Sequence, residues 1–238
     1  MTEHSLNSIE PPRIWAVIPC AGSGTRSGAA GPKQYQMLAG QPMVLHTLGA
    51  LAGVARLTGV LVVVANGDAF PSHSVAKVSV ADCGGSTRAL SVVNGLGWLA
   101  QHGAGADDWV LVHDAARCLV TPRQIDALID ACLDDSVGGL LALKLPDTLK
   151  RERLGRVIDT VERADKWLAQ TPQMFRLGML MQALRQAGEA VTDESSAIER
   201  LGLQPKLVAG SAQNFKVTYA EDFALAQAIL QARSTGPG

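Results

Sequence analysis

Five short apolar runs rich in β-branched residues recur along this chain: residues 14–19 (IWAVIP), 60–65 (VLVVVA), a weaker 77–81, 109–113 (WVLVH) and 139–145. They are continuous rather than alternating, which is the pattern of strands covered on both faces. Helical patterns lie between them at 42–52, 87–101 and 122–133. A strand–helix–strand alternation of this kind predicts an α/β chain: a Rossmann-like, mostly parallel twisted sheet with helices on both faces and right-handed crossovers. The helix at 122–133 also carries its own start signal. Thr121 is the expected cap, Pro122 the first helical residue and Gln124 the partner that closes a capping box.

The chain has 238 residues, 47% hydrophobic and 18% charged, enough for a sizeable core without disulfides or metal staples. The reading is one domain over 1–238. A net charge of −1 lacks the strong basic excess that a nucleic-acid surface needs, so no nucleic-acid partner is expected. The four cysteines, Cys20, Cys83, Cys118 and Cys132, form no CxxC pair, and the five histidines show no metal-ligand spacing. Reduced thiols in a cytoplasmic protein are the expectation. The first dozen residues lack the apolar segment of a signal peptide, and no apolar run is long enough to span a bilayer, so no membrane partner is expected. Both chain ends read as loose.

Between 146 and 166 (PDTLKRERLGRVIDTVERADK) the pattern turns polar, with Leu154-Gly155 as a turn. This reads as a protruding β-hairpin arm. An isolated hairpin is costly to order, which predicts packing on a second subunit; a mobile surface loop has the same composition. Apolar character returns at 167–175. Helices are then predicted from Leu177, from about Asp193 and from Tyr219, and a short strand at 214–218.

Three constellations carry chemistry. The first strand runs into Pro19-Cys20-Ala21-Gly22-Ser23-Gly24-Thr25-Arg26, with Lys33 following Gly31-Pro32. Glycines at a strand's carboxyl end expose backbone N–H groups to phosphate. The forked Arg and the point-charged Lys suit a triphosphate. The loop is neither a Walker A motif nor a well-spaced dinucleotide fingerprint. Next, Gly84-Gly85-Ser86 leads into a helix whose first turn carries Arg88 and Ser91. The glycines permit close approach of a flat base, and the hydroxyl can pair with its edge; an ordinary turn and capped helix would look the same. Finally, Asp114 follows the fourth strand and would border the switch-point crevice, where a carboxylate beside polyphosphate can hold Mg²⁺. His113 reads as a packed structural residue.

Taken together, these motifs resemble the 2-C-methyl-D-erythritol 4-phosphate cytidylyltransferases of the non-mevalonate isoprenoid pathway. The resemblance rests on PxAGxGxR at 19–26, Pro32-Lys33-Gln34-Tyr35, Gly84-Gly85-x-x-Arg88-x-x-Ser91-Val92 and His113-Asp114-Ala115-Ala116-Arg117. It continues through Asp147-Thr148, Thr171-Pro172-Gln173, Thr192-Asp193-Glu194-Ser195 and Lys216-Val217-Thr218. It implies that Arg26 and Lys33 hold the phosphates of CTP, and that Arg163 and Lys216 grip the sugar-alcohol phosphate. Ala21, Gly22, Gly24, Gly85, Ser86 and Ser91 would surround the nucleotide. Asp114, Arg117, Thr148, Thr171 and Thr192 would line the second substrate's pocket, with Asp114 near the second substrate's hydroxyls or near Mg²⁺ (or another divalent cation). The arm would embrace a second subunit as a homodimer, taking Arg163 to the neighbour's site. Ser86 stands where the family often has an acid, and Cys118 where it usually has proline.

The expected reaction is attack of an already anionic phosphate oxygen on the α-phosphorus of CTP. No strong base is needed, so catalysis is expected from positioning and from cationic stabilisation by Arg26, Lys33 and Mg²⁺. A ribitol 5-phosphate cytidylyltransferase shares most of these motifs. A non-catalytic nucleotide sensor would not need two pairs of converging cations. A nicotinamide dehydrogenase is disfavoured by the glycine spacing and by Asn66 where an acid would end the second strand.

Overall fold

The computed structural model describes residues 13–22, 31–72, 74–188 and 191–235. Arg26 and Gly24 lie outside them, as do residues 1–12 and 236–238; Ser234 and Thr235, expected in the loose C-terminal end, are helical instead. Along the chain come β1 (Ile14–Pro19), a single 3-10 turn (Lys33–Tyr35), the two-residue strands β2 (Met37–Leu38) and β3 (Gln41–Pro42), and α1 (Met43–Ala52). There follow β4 (Gly59–Val63), β5 (Val78–Ala81), α2 (Arg88–Gln101), β6 (Trp109–Val112), α3 (Pro122–Cys132) and β7 (Gly138–Lys144). The arm strands are β8 (Leu149–Arg153) and β9 (Arg156–Val161). The chain closes with β10 (Trp167–Arg176), α4 (Leu177–Ala187), α5 (Glu194–Glu199), β11 (Lys206–Ala209) and α6 (Ala220–Thr235).

A seven-stranded sheet runs β11-β7-β10-β6-β1-β4-β5. Strand β10 is antiparallel to both its neighbours, and the other pairs are parallel. The strand pleat separates two cores. Ile14, Ala16 and Ile18 of β1 face α1 and α3, joining Leu48, Leu51, Ile125, Leu128 and Ile129. Val17 faces the other way, with Leu61, Val63, Val110 and Val112, against Val92, Leu96 and Leu99 of α2 and Leu180 and Leu184 of α4. This is the two-sided burial that the continuous apolar runs require. On the second face α2 approaches very closely: a Cβ on Gly95 would lie 2.7 Å from Val63 Cγ2. A third cluster seats Phe223, Ala226 and Ile229 of α6 on Leu38, Met43, Leu119 and Val217.

Helix α3 starts as its sequence predicts. Thr121 accepts from the Gln124 N–H, and the Gln124 side chain reaches back to the cap. Each of its buried aliphatics contributes about 1.5–3 kcal/mol of transfer free energy. The cap contributes ~1 kcal/mol. Packing therefore holds this helix, and the capping box sets where it begins.

Several expectations shift. The predicted strand at 214–218 is instead an extended connection outside the sheet, because its N–H groups are used elsewhere: Val217 N–H donates to Ala116 O at 2.8 Å. The edge strand β11 and the β2–β3 pair were not legible, being short and partly exposed. The arm turns at Leu154 (φ 51°) and Gly155 (φ 76°), the two positive values of a tight I′ hairpin turn.

Candidate active site

The strand order reverses between β1, which continues to β4, and β6 on its other side, so their carboxyl ends open a crevice. A cavity of about 510 Å³ lies there, lined among others by Ala21, Gly22, Lys33, Gln34, Gly85, Ser86, Arg88, Ser91, Asp114 and Lys216. A smaller one of about 270 Å³ adjoins it, lined among others by Arg117, Thr171, Gln173, Thr192 and Asp193. Arg88, Asp114 and Lys216 border both and form the partition between them.

Lys33 is positioned by the 3-10 turn that carries it. Its neighbour Gln34 is buried and donates from Nε2 to Cys20 O (2.7 Å) and Gly22 O (3.1 Å), tying the turn to the loop after β1. Tyr35 donates to Asp68 at 2.6 Å and meets Phe70 edge-on, tying the turn to the segment after β4. Burial, with Asp68 as acceptor, pushes the Tyr35 phenol well up, so it stays a neutral donor. Lys33 Nζ itself donates to Val217 O at 2.6 Å.

The Gly84-Gly85 loop folds back on the sheet. A Cβ on Gly84 would lie 2.4 Å from Ala21 Cβ and 2.7 Å from Val64 O, closer than atoms can pack. Ser91 is buried and braces this loop: its Oγ accepts from Gly85 N–H (3.0 Å) and donates to Thr87 O (2.9 Å). Its hydroxyl thus shapes the glycine loop from within.

Asp114 is 8% exposed. Its Oδ1 accepts from Arg88 Nε and its Oδ2 from Lys216 Nζ, at 2.8 and 2.7 Å. Burial alone would raise this carboxyl, but the Arg88 guanidinium and then the Lys216 ammonium outweigh it and hold it far below the usual range. Thr171 sits where the β10–β7 register breaks, between Ala169 and Gln173. Such a break re-aims side chains; here Thr171 Oγ1 accepts from Asp114 N–H at 3.0 Å. His113, fully buried, takes the hydroxyl proton of Thr171 on Nδ1 (3.0 Å) and donates from Nε2 to Arg117 O (3.2 Å). One arrangement of protons satisfies all three bonds with a neutral ring, and burial pushes that ring down to about 4.

Arg117 donates to Asn214 O and Ala169 O, joining the β6 loop to the C-terminal connection. Thr192 lies at the exposed lip of the smaller cavity. Two nominated residues are not brought in: Arg163 donates to Pro146 O at the base of the arm, Thr148 is exposed beside it, and neither lines either cavity.

The sequence places Arg88 in the first turn of a helix without a partner, and Glu194 where a helix is predicted to begin. Glu194 is fully buried and takes both terminal nitrogens of Arg88, at 2.7 and 3.1 Å. A signal existed: Arg88 is the first residue of α2, where the helix dipole disfavours a cation. Such an arginine needs carboxylate partners, and the sequence did not say which.

A family model described as 2-C-methyl-D-erythritol 4-phosphate cytidylyltransferase matches residues 14–232. The chain is 68% identical over 228 residues to a bifunctional enzyme IspD/IspF of Albidiferax ferrireducens, covering 94% of this chain and 54% of that longer protein. It is 54% identical over 230 residues to a 2-C-methyl-D-erythritol 4-phosphate cytidylyltransferase of Laribacter hongkongensis, covering 94% of this chain and 99% of that one. Among solved structures it resembles a 4-diphosphocytidyl-2C-methyl-D-erythritol synthase: TM-score 0.80, 37% identity, 92% and 98% of the two chains covered.

Proposed function

The chain belongs to the 2-C-methyl-D-erythritol 4-phosphate cytidylyltransferase family, and from that premise we propose how its residues carry out cytidylyl transfer from CTP to methylerythritol phosphate in isoprenoid precursor synthesis. A phosphate oxygen of the acceptor attacks the α-phosphorus, the bond to the β-phosphate breaks, and pyrophosphate leaves. The phosphomonoester carries about −1.5 to −2 charge at neutral pH, so the nucleophile is already formed. The barrier is repulsion between anions, which calls for fixed cations and alignment.

One observation carries the reading: Lys33, Arg88 and Lys216 border a single cavity at the carboxyl ends of β1 and β6 that residues of both glycine loops also line. In this reading the nucleotide lies over Ala21, Gly22, Gly85 and Ser86. Lys33, with Arg26 and Gly24 of the adjoining loop, holds its phosphates. The acceptor enters from the smaller cavity past Arg117, Thr171 and Thr192, and Lys216 draws its phosphate toward the α-phosphorus.

A divalent ion, Mg²⁺ by preference, fits the donor set in a limited way. Among the residues lining the larger cavity Asp114 is the only carboxylate, and no cluster of three or more acidic, His or Cys side chains occurs among the described residues. That suits an ion held mainly by substrate phosphates, with Asp114 as its one protein contact. Such an ion, when bound, neutralises charge on the phosphates.

The arm supports a homodimer. It stands apart from the main sheet and exposes Leu154, Val157 and Ile158 to 90%, 64% and 54%. A second copy would cover them, and in that assembly Arg163 and Thr148 would serve the neighbour's acceptor pocket. The cytoplasm is the proposed location, since all four cysteines are free thiols. No helix among the described residues is long and apolar enough to cross a membrane.

The test is pyrophosphate release from CTP with methylerythritol phosphate, with and without Mg²⁺, and with ribitol 5-phosphate in parallel. Release only with the first acceptor is expected. Release only with the second, or with neither, overturns the reading.

A further inference from the structure

Behind the partition between the two cavities stands a carboxylate that lines neither of them. Glu194 is 0% exposed, at the start of α5. Its two oxygens take NH1 and NH2 of Arg88, and the remaining nitrogen of that guanidinium, Nε, holds Asp114 Oδ1. Asp114 Oδ2 in turn holds Lys216. Side-chain exposure is 1% at Glu194, 28% at Arg88, 10% at Asp114 and 44% at Lys216. Glu194 is the buried end of the chain, and Lys216 is the end that meets solvent.

We propose that Glu194 is a positioning residue for the transfer, setting the plane of the Arg88 guanidinium so that Asp114 presents one oxygen to Lys216 and the acceptor cavity. The proposal rests on the cytidylyltransferase reading of the site and adds a residue to it.

The argument is geometric. A fork of two parallel hydrogen bonds fixes a guanidinium in plane as well as in place. With that fork intact, all three nitrogens of Arg88 are occupied, so the arginine meets Asp114 through Nε alone. That single contact leaves Asp114 Oδ2 to Lys216. Without Glu194, two guanidinium nitrogens lose their partner. Arg88 would then turn and take both oxygens of Asp114, displacing Lys216. That movement disturbs the side where Lys216 meets the acceptor phosphate more than the glycine loops that face the nucleotide. Glu194, Arg88, Asp114 and Lys216 sum to zero, and neutralising Glu194 leaves one extra positive charge near the acceptor path. Charge alone would then tighten phosphate binding, so a raised acceptor KM reports lost alignment.

The experiment compares Glu194→Gln, Arg88→Gln and the double variant by initial-rate pyrophosphate release, varying each substrate in turn, with thermal midpoints recorded. The unsubstituted enzyme must release pyrophosphate first; its failure would fault the functional reading rather than this one. Glu194→Gln is expected to raise KM for the acceptor phosphate about tenfold, the lower end of losses for groups that orient a binding residue. KM for CTP should stay within about twofold. The double variant should be no worse than Arg88→Gln alone, because Glu194 acts only through Arg88. An unchanged acceptor KM in Glu194→Gln, equal loss for both substrates, or losses that multiply in the double variant would overturn the proposal. If Glu194→Gln does not fold, the double variant, which leaves no buried charge unpaired, is compared with Arg88→Gln: equal constants support the assignment and a further loss ends it.

Discussion

Lys33 Nζ and Val217 O, 184 residues apart in sequence, meet at 2.6 Å. The same Val217 gives its N–H to Ala116 O, and its neighbour Lys216 holds Asp114. The C-terminal connection thus runs through the crevice as a bar linking the turn that carries one lysine to the loop after β6 that carries Asp114.

Lys33→Ala should therefore leave the fold standing and remove the reaction. The backbone bond from Val217 to Ala116 survives the substitution, and loss of a side-chain hydrogen bond such as that to Val217 O costs about 0.5–1.5 kcal/mol. Removal of a cation that stabilises developing phosphate charge typically costs on the order of 10²–10³ in kcat. Turnover assays beside a thermal melt would check this. A folded variant with near-normal kcat would defeat the role given to Lys33.

Two glycines of the loops after β1 and β5 should behave differently. Alanine at Gly84 would drive a methyl into Ala21 and the Val64 carbonyl, whereas at Gly22 no atom of the described residues beyond its chain neighbours lies within 4 Å of the added carbon. Gly84→Ala should cost about 1–3 kcal/mol of stability through forced displacement, and raise KM for CTP as the loop moves. Gly22→Ala should fold normally, so any rise in its KM reports contact with the nucleotide itself. Denaturant melts and CTP titration of both variants separate the effects.

Stability should fall as pH drops from about 6.5 to about 4, because of His113. In the unfolded chain the imidazole takes a proton below about 6.5. In the folded protein it stays neutral down to about 4. Across that window the unfolded state holds the extra proton, so acid favours unfolding. The shift corresponds to roughly 3 kcal/mol once both forms are protonated. Asp114, held low in the fold, begins to lose its contribution at about pH 5 and loses most of it below about 4, so it overlaps only the bottom of this window. Urea melts between pH 4 and 7 should show the slope in the parent and its flattening in His113→Gln. An unchanged slope in the variant would reject the assignment.

If Arg163 serves the acceptor pocket of a second copy, activity should return on mixing two defective chains. Lys33→Ala and Arg163→Ala homodimers are each expected to be weak. After co-refolding, one site of a mixed dimer regains both residues. Recovery of pyrophosphate release would support the crossed arrangement. No recovery in a verified mixed dimer would reject the crossed arrangement.

Local signals were enough for much of this molecule. Continuous apolar runs specified strands buried on both faces, Thr121-Pro122 with Gln124 specified where α3 begins, and Leu154-Gly155 specified the arm's turn. These depend on neighbours within a few residues, which is what periodicity and capping encode. The motifs also carried enough order to indicate the family. Tertiary structure alone decided which charges meet. Glu194 looks like any acid at a helix start until α5 docks and buries it against Arg88, 106 residues away. Residues 214–218 have the composition of a strand, yet Ala116 takes the Val217 N–H and leaves them outside the sheet. Long-range pairing depends on how the layers pack, and that packing is set by the whole core rather than by any stretch of sequence.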